Sequence, residues 1–571
     1  MFLKLPEHFP ALSLWEQKMI TQEKIFEREG VLDVVQHIIL AEPQAGVYLV
    51  GGSVRDILIG RQSKDYDFVV TGVDQERLIE ILGERGNTGQ TGSSFGVIKN
   101  NPEYQYLQAI GEQGLAEPFD FALPRNDHES GSGGHHDTIV TVDKNIPIAE
   151  DLLRRDLTIN SLAWDIVNKC FVYPKGKEEI CKKDLEEKII RTVDSPEKSF
   201  GGDWLRMLRA IRFSCQLEGF ALSPDTMETI QNLSAHINDV YEQDIYSEIF
   251  DQTTGEKIKK IIHKKGDYKI ARERVAEELL KSFYSNPLKA LDLYEKSGFL
   301  KHLLPQVDGL KGVEQSSDMH SEGDVYIHTR LALEKLNDEK FKFYAQIIDE
   351  LFPDIEPVGV DKLKEKLELI CSVLFHDLGK PATKATKEEE PEKITFYGHD
   401  KKSAELSAEI CQKLRLETPI KYKIDPCNVK ENVGGHMFFF LNIDEVKDET
   451  IYKKFFATNN RSLVRNQFKL AVADILASIP EQTQEPDFSN FEKLIERIKI
   501  IKEKMLTEGD QEKITLLLDG QEIMELLDIK KGGKIIGQLK YDLLAAQIGG
   551  QIKDKNQAIE FIKKRYSQIK E

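Results

Sequence analysis

Cysteine is scarce and scattered in this chain of 571 residues. Its six cysteines (Cys170, Cys181, Cys215, Cys371, Cys411 and Cys427) form no C-x-x-C pair, which argues against a cysteine zinc site and for a reducing, cytoplasmic setting. No apolar run approaches the ~18 residues that a membrane span needs, so no membrane partner is expected. The opening stretch MFLKLPEHFPALSLWEQK lacks an uninterrupted apolar core and a small-residue cleavage site, so a secretory signal is not expected either. Internal repeats and low-complexity blocks are absent. Basic charge is in deficit: the formal net charge of −19 does not advertise a nucleic-acid partner for the chain as a whole. Basic residues do gather locally, at Lys257, Lys259, Lys260, Lys264, Lys265 and Lys269 and again from Lys553 to Arg565. Such runs are most often solvated faces, and alone they support an RNA partner weakly.

What remains is an ordinary globular composition, 40% hydrophobic and 31% charged, in a chain long enough for three or four domains. A helical lead-in is expected over residues 1–40. The first chemistry lies in Val47–Thr71, VYLVGGSVRDILIGRQSKDYDFVVT. The apolar run Val47–Val50 reads as a buried strand, and Val54–Leu58 as a helix stopped by Gly60. Gly51 and Gly52 at the turn let the backbone approach an anion with its amides exposed. Asp65 and Asp67 flank Tyr66 before the strand-like Phe68–Val70, so their carboxylates fall on one face. Like charges that close repel unless cations neutralise them, and a pair of divalent ions so held is a way to activate a hydroxyl for phosphoryl chemistry.

G-G-S-V-R-D followed by D-x-D resembles the nucleotidyltransferase head of the tRNA nucleotidyltransferase and bacterial poly(A) polymerase family. The resemblance implies an α/β head with a mixed sheet and Asp65, Asp67 and Asp120 as the catalytic carboxylates, binding Mg²⁺. Asp120 lies in FDFALPRND, where alternation with Phe119 and Phe121 suits a carboxylate on the active face. EDLLRRDLTINSLAWD matches the family's R-R-D-x-x-x-N element, implying that Arg154, Arg155, Asp156 and Asn160 bind triphosphate and ribose with Gly51, Gly52 and Arg55. FGGDWLRMLRAIRFSCQLEGF resembles the helix that reads the incoming base, with Asp203 and Arg206 at i and i+3 and Arg209 counted with them. Gly202 stands where the family has Glu.

Further along, IHTRLALE carries His328, ELICSVLFHDLGKP is an apolar helix ending in His376–Asp377, and LAVADILAS carries Asp474. His399 and His436 lie between them. This H…HD…H…H…D order resembles the HD phosphohydrolase domain, whose mixed imidazole and carboxylate ligands suit Mn, Fe, Ni or Mg. His328, His376, Asp377 and Asp474 form the expected metal set, with His399 and His436 as further candidates. KATKEEEPEK reads as a loop and residues 480–488 as a linker.

The expected architecture is therefore an N-terminal helical extension (1–40), an α/β nucleotidyltransferase head (41–170), a mostly α-helical neck for base and RNA (171–315), an HD domain (316–480) and a helical tail (481–571). The expected reaction is template-independent addition of C and A to a tRNA 3′ end from CTP and ATP. A poly(A) polymerase, a CC- or A-adding specialist, a protein nucleotidylyltransferase and a phosphohydrolase with an RNA-binding head are the alternatives.

Overall fold

The computed structural model describes residues 29–61, 66–91, 97–102, 119–128, 139–250, 257–353, 361–387, 390–458, 460–507, 517–529, 534–548, 551–552 and 554–570. Asp65 therefore lies outside the described residues, as do residues 1–28 of the helical lead-in and Lys553. The chain divides into two compact units, Met1–His302 and Leu303–Glu571.

The first unit is built on a sheet of seven strands. In chain order the head contributes β1 (Gly46–Val50), β2 (Asp67–Thr71), β3 (Gly86–Thr91), β4 (Val97–Pro102), β5 (Phe119–Ala122), β6 (Arg125–His128), β7 (Ile139–Val142), β8 (Ala163–Asp165) and β9 (Cys170–Val172). Strands β6 and β7 form a separate hairpin, and the sheet runs β3-β4-β5-β2-β1-β8-β9. Within this sheet, among the described residues, β2 and β5 pair in parallel and the other neighbours antiparallel, giving the mixed sheet expected from the sequence. The pleat explains the sidedness of β5: Phe119 and Phe121 are buried while Asp120 between them points the other way. Phe68 of β2 stacks on Phe121 with ring centroids 5.0 Å apart, fixing the register of the two strands. The turn after β1 needs glycine, because Gly51 has φ +75. From it starts the helix Gly52–Leu58, which buries Val54, Ile57 and Leu58.

After the sheet, the helix Pro196–Gly202 is followed by the helix Leu205–Gln216, which packs on the helix Arg272–Ser285. Asp203 is not helical. It adopts an extended conformation (φ −155, ψ 106) between the first two of these helices, after paired glycines that end the first. The basic stretch 257–269 begins on a strand, Lys257–His263, paired antiparallel with Ile245–Phe250.

The second unit is largely helical. Its central helix, Arg461–Ala477, is buried on nearly every side and packs against the helices Val325–Lys335, Glu339–Leu351 and Lys362–Phe375. Arg465 is buried within it and forms a two-pronged ion pair with Glu365, both contacts 2.7 Å. A buried guanidinium is tolerable only when so satisfied. The stretch expected as a loop after Lys384 is instead a short antiparallel hairpin, Ala385–Lys387 with Glu390–Thr395. Thr386 pairs there with Ile394, and a strand of that length has too little periodicity to be read from sequence. The last helices enclose their own core of Leu518, Ile523, Leu539, Leu543, Ala558 and Ile562. Among the described residues no helix is long and apolar enough to cross a membrane.

Candidate functional sites

In the first unit the strand register sets the site. Asp67 and Asp120 are direct partners across the parallel β2–β5 pair, so both carboxylates emerge side by side. Asp67 reaches solvent at the strand end, but its carboxylate sits in a recess. Loss of water there raises its pKa, the charge on Asp120 adds to the rise, and Arg155 and Lys99 oppose it. Asp120 is raised for the same first reason, against Lys99. Asp120 Oδ1 is buried and accepts no hydrogen bond from the described residues. Lys99 Nζ, on the neighbouring β4, stands 3.7 Å away, too far for one. A buried carboxylate oxygen left without a donor, beside a second carboxylate, is a donor set suited to a divalent oxygen-loving cation.

Around this pair lies a set of arginines. A side chain at Gly51 would come 3.3 Å from Arg155 Nη1 and 4.0 Å from Asp67 Oδ2, so the bare backbone keeps open the space between them. Asp151, fully buried, organises the arginines. It accepts from Arg154 Nη2 at 2.8 Å, Arg155 Nη2 at 3.3 Å and the backbone N–H of Arg125 at 3.0 Å. Arg55, also buried, donates to Asn160 Oδ1 and to Asp56. Asp156 accepts from Arg209 Nε at 2.7 Å and from the N–H of Leu157 at 2.9 Å. The sequence reading missed Asp151 and Lys99. The first was signalled by its place three and four residues before Arg154 and Arg155; the second has no signal outside the strand register.

Asp203 and Arg206 do not share a helix face as their i and i+3 spacing implied, because Asp203 is extended. Asp203 Oδ1 accepts from the N–H of Leu205 at 3.0 Å, and its Oδ2 lies 3.2 Å from Arg274 Nη2. Arg206 instead donates to the carbonyls of Ser199, at 3.2 Å, and Arg154, at 3.0 Å.

The second unit brings together all six metal-ligand candidates from its sequence. His328, His376 and Asp474 form one buried group, and Asp377, His399 and His436 another. His328 Nε2 is 3.1 Å from Asp474 Oδ1 and 3.3 Å from His376 Nε2. His399 Nε2 is 3.2 Å from His436 Nε2 and 3.4 Å from Asp377 Oδ1. Asp377 Oδ2 turns to the first group, 3.3 Å from His376 Nε2, so this carboxylate joins the two. The rings are fixed from behind. Nδ1 of His376, His399 and His436 lies 2.8, 2.8 and 2.6 Å from the carbonyl oxygen three residues earlier. A carbonyl only accepts, so Nδ1 carries the proton and, in the neutral ring, Nε2 presents a lone pair. Burial, followed by the neighbouring His376, pushes the His436 pKa down to about 4, keeping that ring neutral. Lone pairs that face one another at about 3 Å, beside carboxylates, fit a shared cation, and imidazole with carboxylate is a transition-metal donor set. Lys380 Nζ, buried, is 2.7 Å from Asp377 Oδ2 and adds fixed positive charge at the rim.

Residues 47–191 match the family model described as the poly A polymerase head domain. Residues 251–310 match the one described as the probable RNA and SrmB-binding site of polymerase A. The multifunctional CCA protein of Acinetobacter baumannii is 29% identical over 402 residues, 69% of this chain and 76% of that protein. Among solved structures, the Bacillus stearothermophilus CCA-adding enzyme in complex with CTP is 19% identical with a TM-score of 0.50, over 95% of this chain and 98% of that one. The Thermotoga maritima CCA-adding enzyme complexed with tRNA-CCA is 18% identical with a TM-score of 0.51, over 94% and 96%. At those identities the structures speak for the fold. With the head and the RNA-binding segment in the same chain and order, residues 47–191 and 251–310 carry the head and the RNA-binding segment of the poly A polymerase family, and the protein is a nucleotidyltransferase, a transferase.

Proposed function

We propose that this protein adds C, C and A to the 3′ end of tRNA, using CTP and ATP and no template. The observation that carries the reading is the paired register of Asp67 and Asp120, with a buried oxygen of Asp120 left without a donor. These two carboxylates, with Asp65, would hold Mg²⁺ ions. Bound there, such ions would supply a lower pKa for the primer hydroxyl and charge against the departing pyrophosphate. The chain's own residues do the rest. Gly51 and Gly52 bring backbone amides to the triphosphate. Arg154 and Arg155, splayed by Asp151, offer forked donors to its oxygens. Asp156, Asn160 and Arg55 brace that element, and Asp203 with an arginine meets the base. The division at residues 40, 170, 315 and 480 belongs to this reading, as does a cytoplasmic location.

The test offers transcripts ending before CCA, before the last A, and an oligo(A) primer, each with single nucleotides and with pairs, followed by sequencing of the ends. Two C from CTP and then one A from ATP is the expected outcome. Long A tails on oligo(A) would make the protein a poly(A) polymerase, and a stop after CC or a need for a CC end would make it a specialist.

A second activity has its own observation, the facing Nε2 lone pairs and shared carboxylate of the second unit. We propose a metal-dependent phosphohydrolase of the HD type, holding Mn, Ni or Fe and acting on small nucleotides or 2′,3′-cyclic phosphates. A metal held by His328, His376, Asp377 and Asp474 would supply a nucleophile at neutral pH and charge for the phosphoryl oxygens.

A further inference from the structure

Of the four candidate ligand histidines of the second unit, one is held differently from the other three. His376, His399 and His436 each rest on a main-chain carbonyl three residues back. His328 does not use that contact; the carbonyl of Val325 accepts instead from Thr329 Oγ1 at 2.8 Å. Its Nδ1 instead meets a side chain, Glu322 Oε1, at 2.8 Å. The same oxygen meets His320 Nδ1 at 2.8 Å, and Glu322 Oε2 accepts from the N–H of Ile479 at 3.0 Å.

Those partners give Glu322 a particular place in the unit. His328 sits on the first ligand-bearing helix and Asp474 on the last, which ends at Ala477, two residues before Ile479. One carboxylate thus grips both ligand-bearing elements. Neighbouring contacts reinforce the clasp: the carbonyl of Ile479 accepts from Ser321 N and Oγ, both at 2.8 Å, and Ser317 Oγ donates to Glu481 at 2.7 Å. The supposed linker after residue 480 is pinned here.

We propose that Glu322 is the positioning residue of the histidine–aspartate centre. It holds the His328 ring so that Nε2 faces Asp474 and His376, and through Ile479 it sets the end of the helix that carries Asp474. Being an anion, it makes His328 a better donor than the three rings resting on neutral carbonyls. The cation held by His328, His376 and Asp474 is then bound more tightly than one held by Asp377, His399 and His436. This inference rests on the metal-centre reading given above. Charge-bearing supports of this kind change metal affinity about 10- to 100-fold on removal.

The experiment uses the full-length chain with Asp67→Asn and Asp120→Asn, so that the head takes up no ion. Co²⁺ binding is followed by calorimetry and by the visible absorption of the bound ion. Glu322→Gln is expected to weaken the tighter site about 10- to 100-fold and to shift its absorption, while Ser321→Ala, which trims the clasp without touching His328, leaves both as they were. In a His328→Gln background the effect of Glu322→Gln should shrink sharply, because the larger part of its action runs through that ring and only the Ile479 contact remains. Should Glu322→Gln not fold, Glu322→Asp, too short to span His328 and Ile479 together, is expected to show the same loss. An affinity within twofold of the parent for either variant, or an undiminished Glu322 effect without His328, overturns the proposal. His376→Ala separates the two readings: if it too leaves Co²⁺ binding intact, the metal centre itself is wrong.

Discussion

At Asp156 a single carboxylate carries a measurable part of the first unit's stability. Burial alone would raise its pKa, but Arg209 and Arg206 outweigh burial and hold it down to about 2. The folded value lies below the unfolded one, so the stabilisation is fully present above pH ~4 and disappears as pH falls through about 2. The shift corresponds to about 2 kcal/mol. Asp156→Asn should therefore destabilise the protein by about that amount at pH 7, with the gap to wild type closing between pH ~4 and ~2. Trp164 and Trp204 lie in this unit, so urea unfolding followed by tryptophan fluorescence reports it. A gap that stays constant across that range would mean the carboxylate's charge contributes nothing.

Between the helices Pro196–Gly202 and Leu205–Gln216, the break rather than either helix holds Asp203, the group proposed to select the base. The extended backbone at Asp203 turns its carboxylate to cap the second helix through Leu205 N and to meet Arg274. A carboxylate acceptor beside a guanidinium donor matches the amine and bare ring nitrogen shared by cytosine and adenine. Uracil and guanine present the opposite pair, and each unmatched group in a closed pocket costs roughly 1–3 kcal/mol. Asp203→Ala should lower use of CTP and ATP and let UTP and GTP compete, with addition still metal-dependent; unaltered rejection of UTP and GTP would put base reading elsewhere. The same element shows where sequence stops being informative. The strand ends, the glycine turn at Gly51 and the pleat that turns Asp120 away from Phe119 and Phe121 follow from local periodicity, and local periodicity is what a sequence displays. The partner of Asp203 does not, because Gly201 and Gly202 end a helix that the motif alone suggests should continue, and Arg274 comes from 71 positions away. Glu322 lies in a stretch with no period at all, so only its three contacts identify it.

Across the whole molecule, the two sets of candidate residues fall into different compact units, with Asp67, Asp120, Arg155 and Asp203 before His302 and all six histidine and aspartate candidates after it. Neither site borrows a described ligand from the other unit, so each should fail alone. Loss of a metal carboxylate in the head removes stabilisation of the transition state rather than a contact to the primer. Asp67→Ala should accordingly abolish nucleotide addition while tRNA binding stays close to wild type. His376→Ala removes an Nε2 donor from the second centre and leaves its neighbours' lone pairs facing one another. It should release the bound transition metal and end hydrolysis of 2′,3′-cyclic nucleotides, with the rate of CTP and ATP addition unchanged. The pair of variants, assayed for both activities and for metal content, gives a two-by-two pattern with losses on one diagonal. If His376→Ala slows addition as much as it slows hydrolysis, the second centre supports the first, and its histidines serve the nucleotidyltransferase rather than a chemistry of their own.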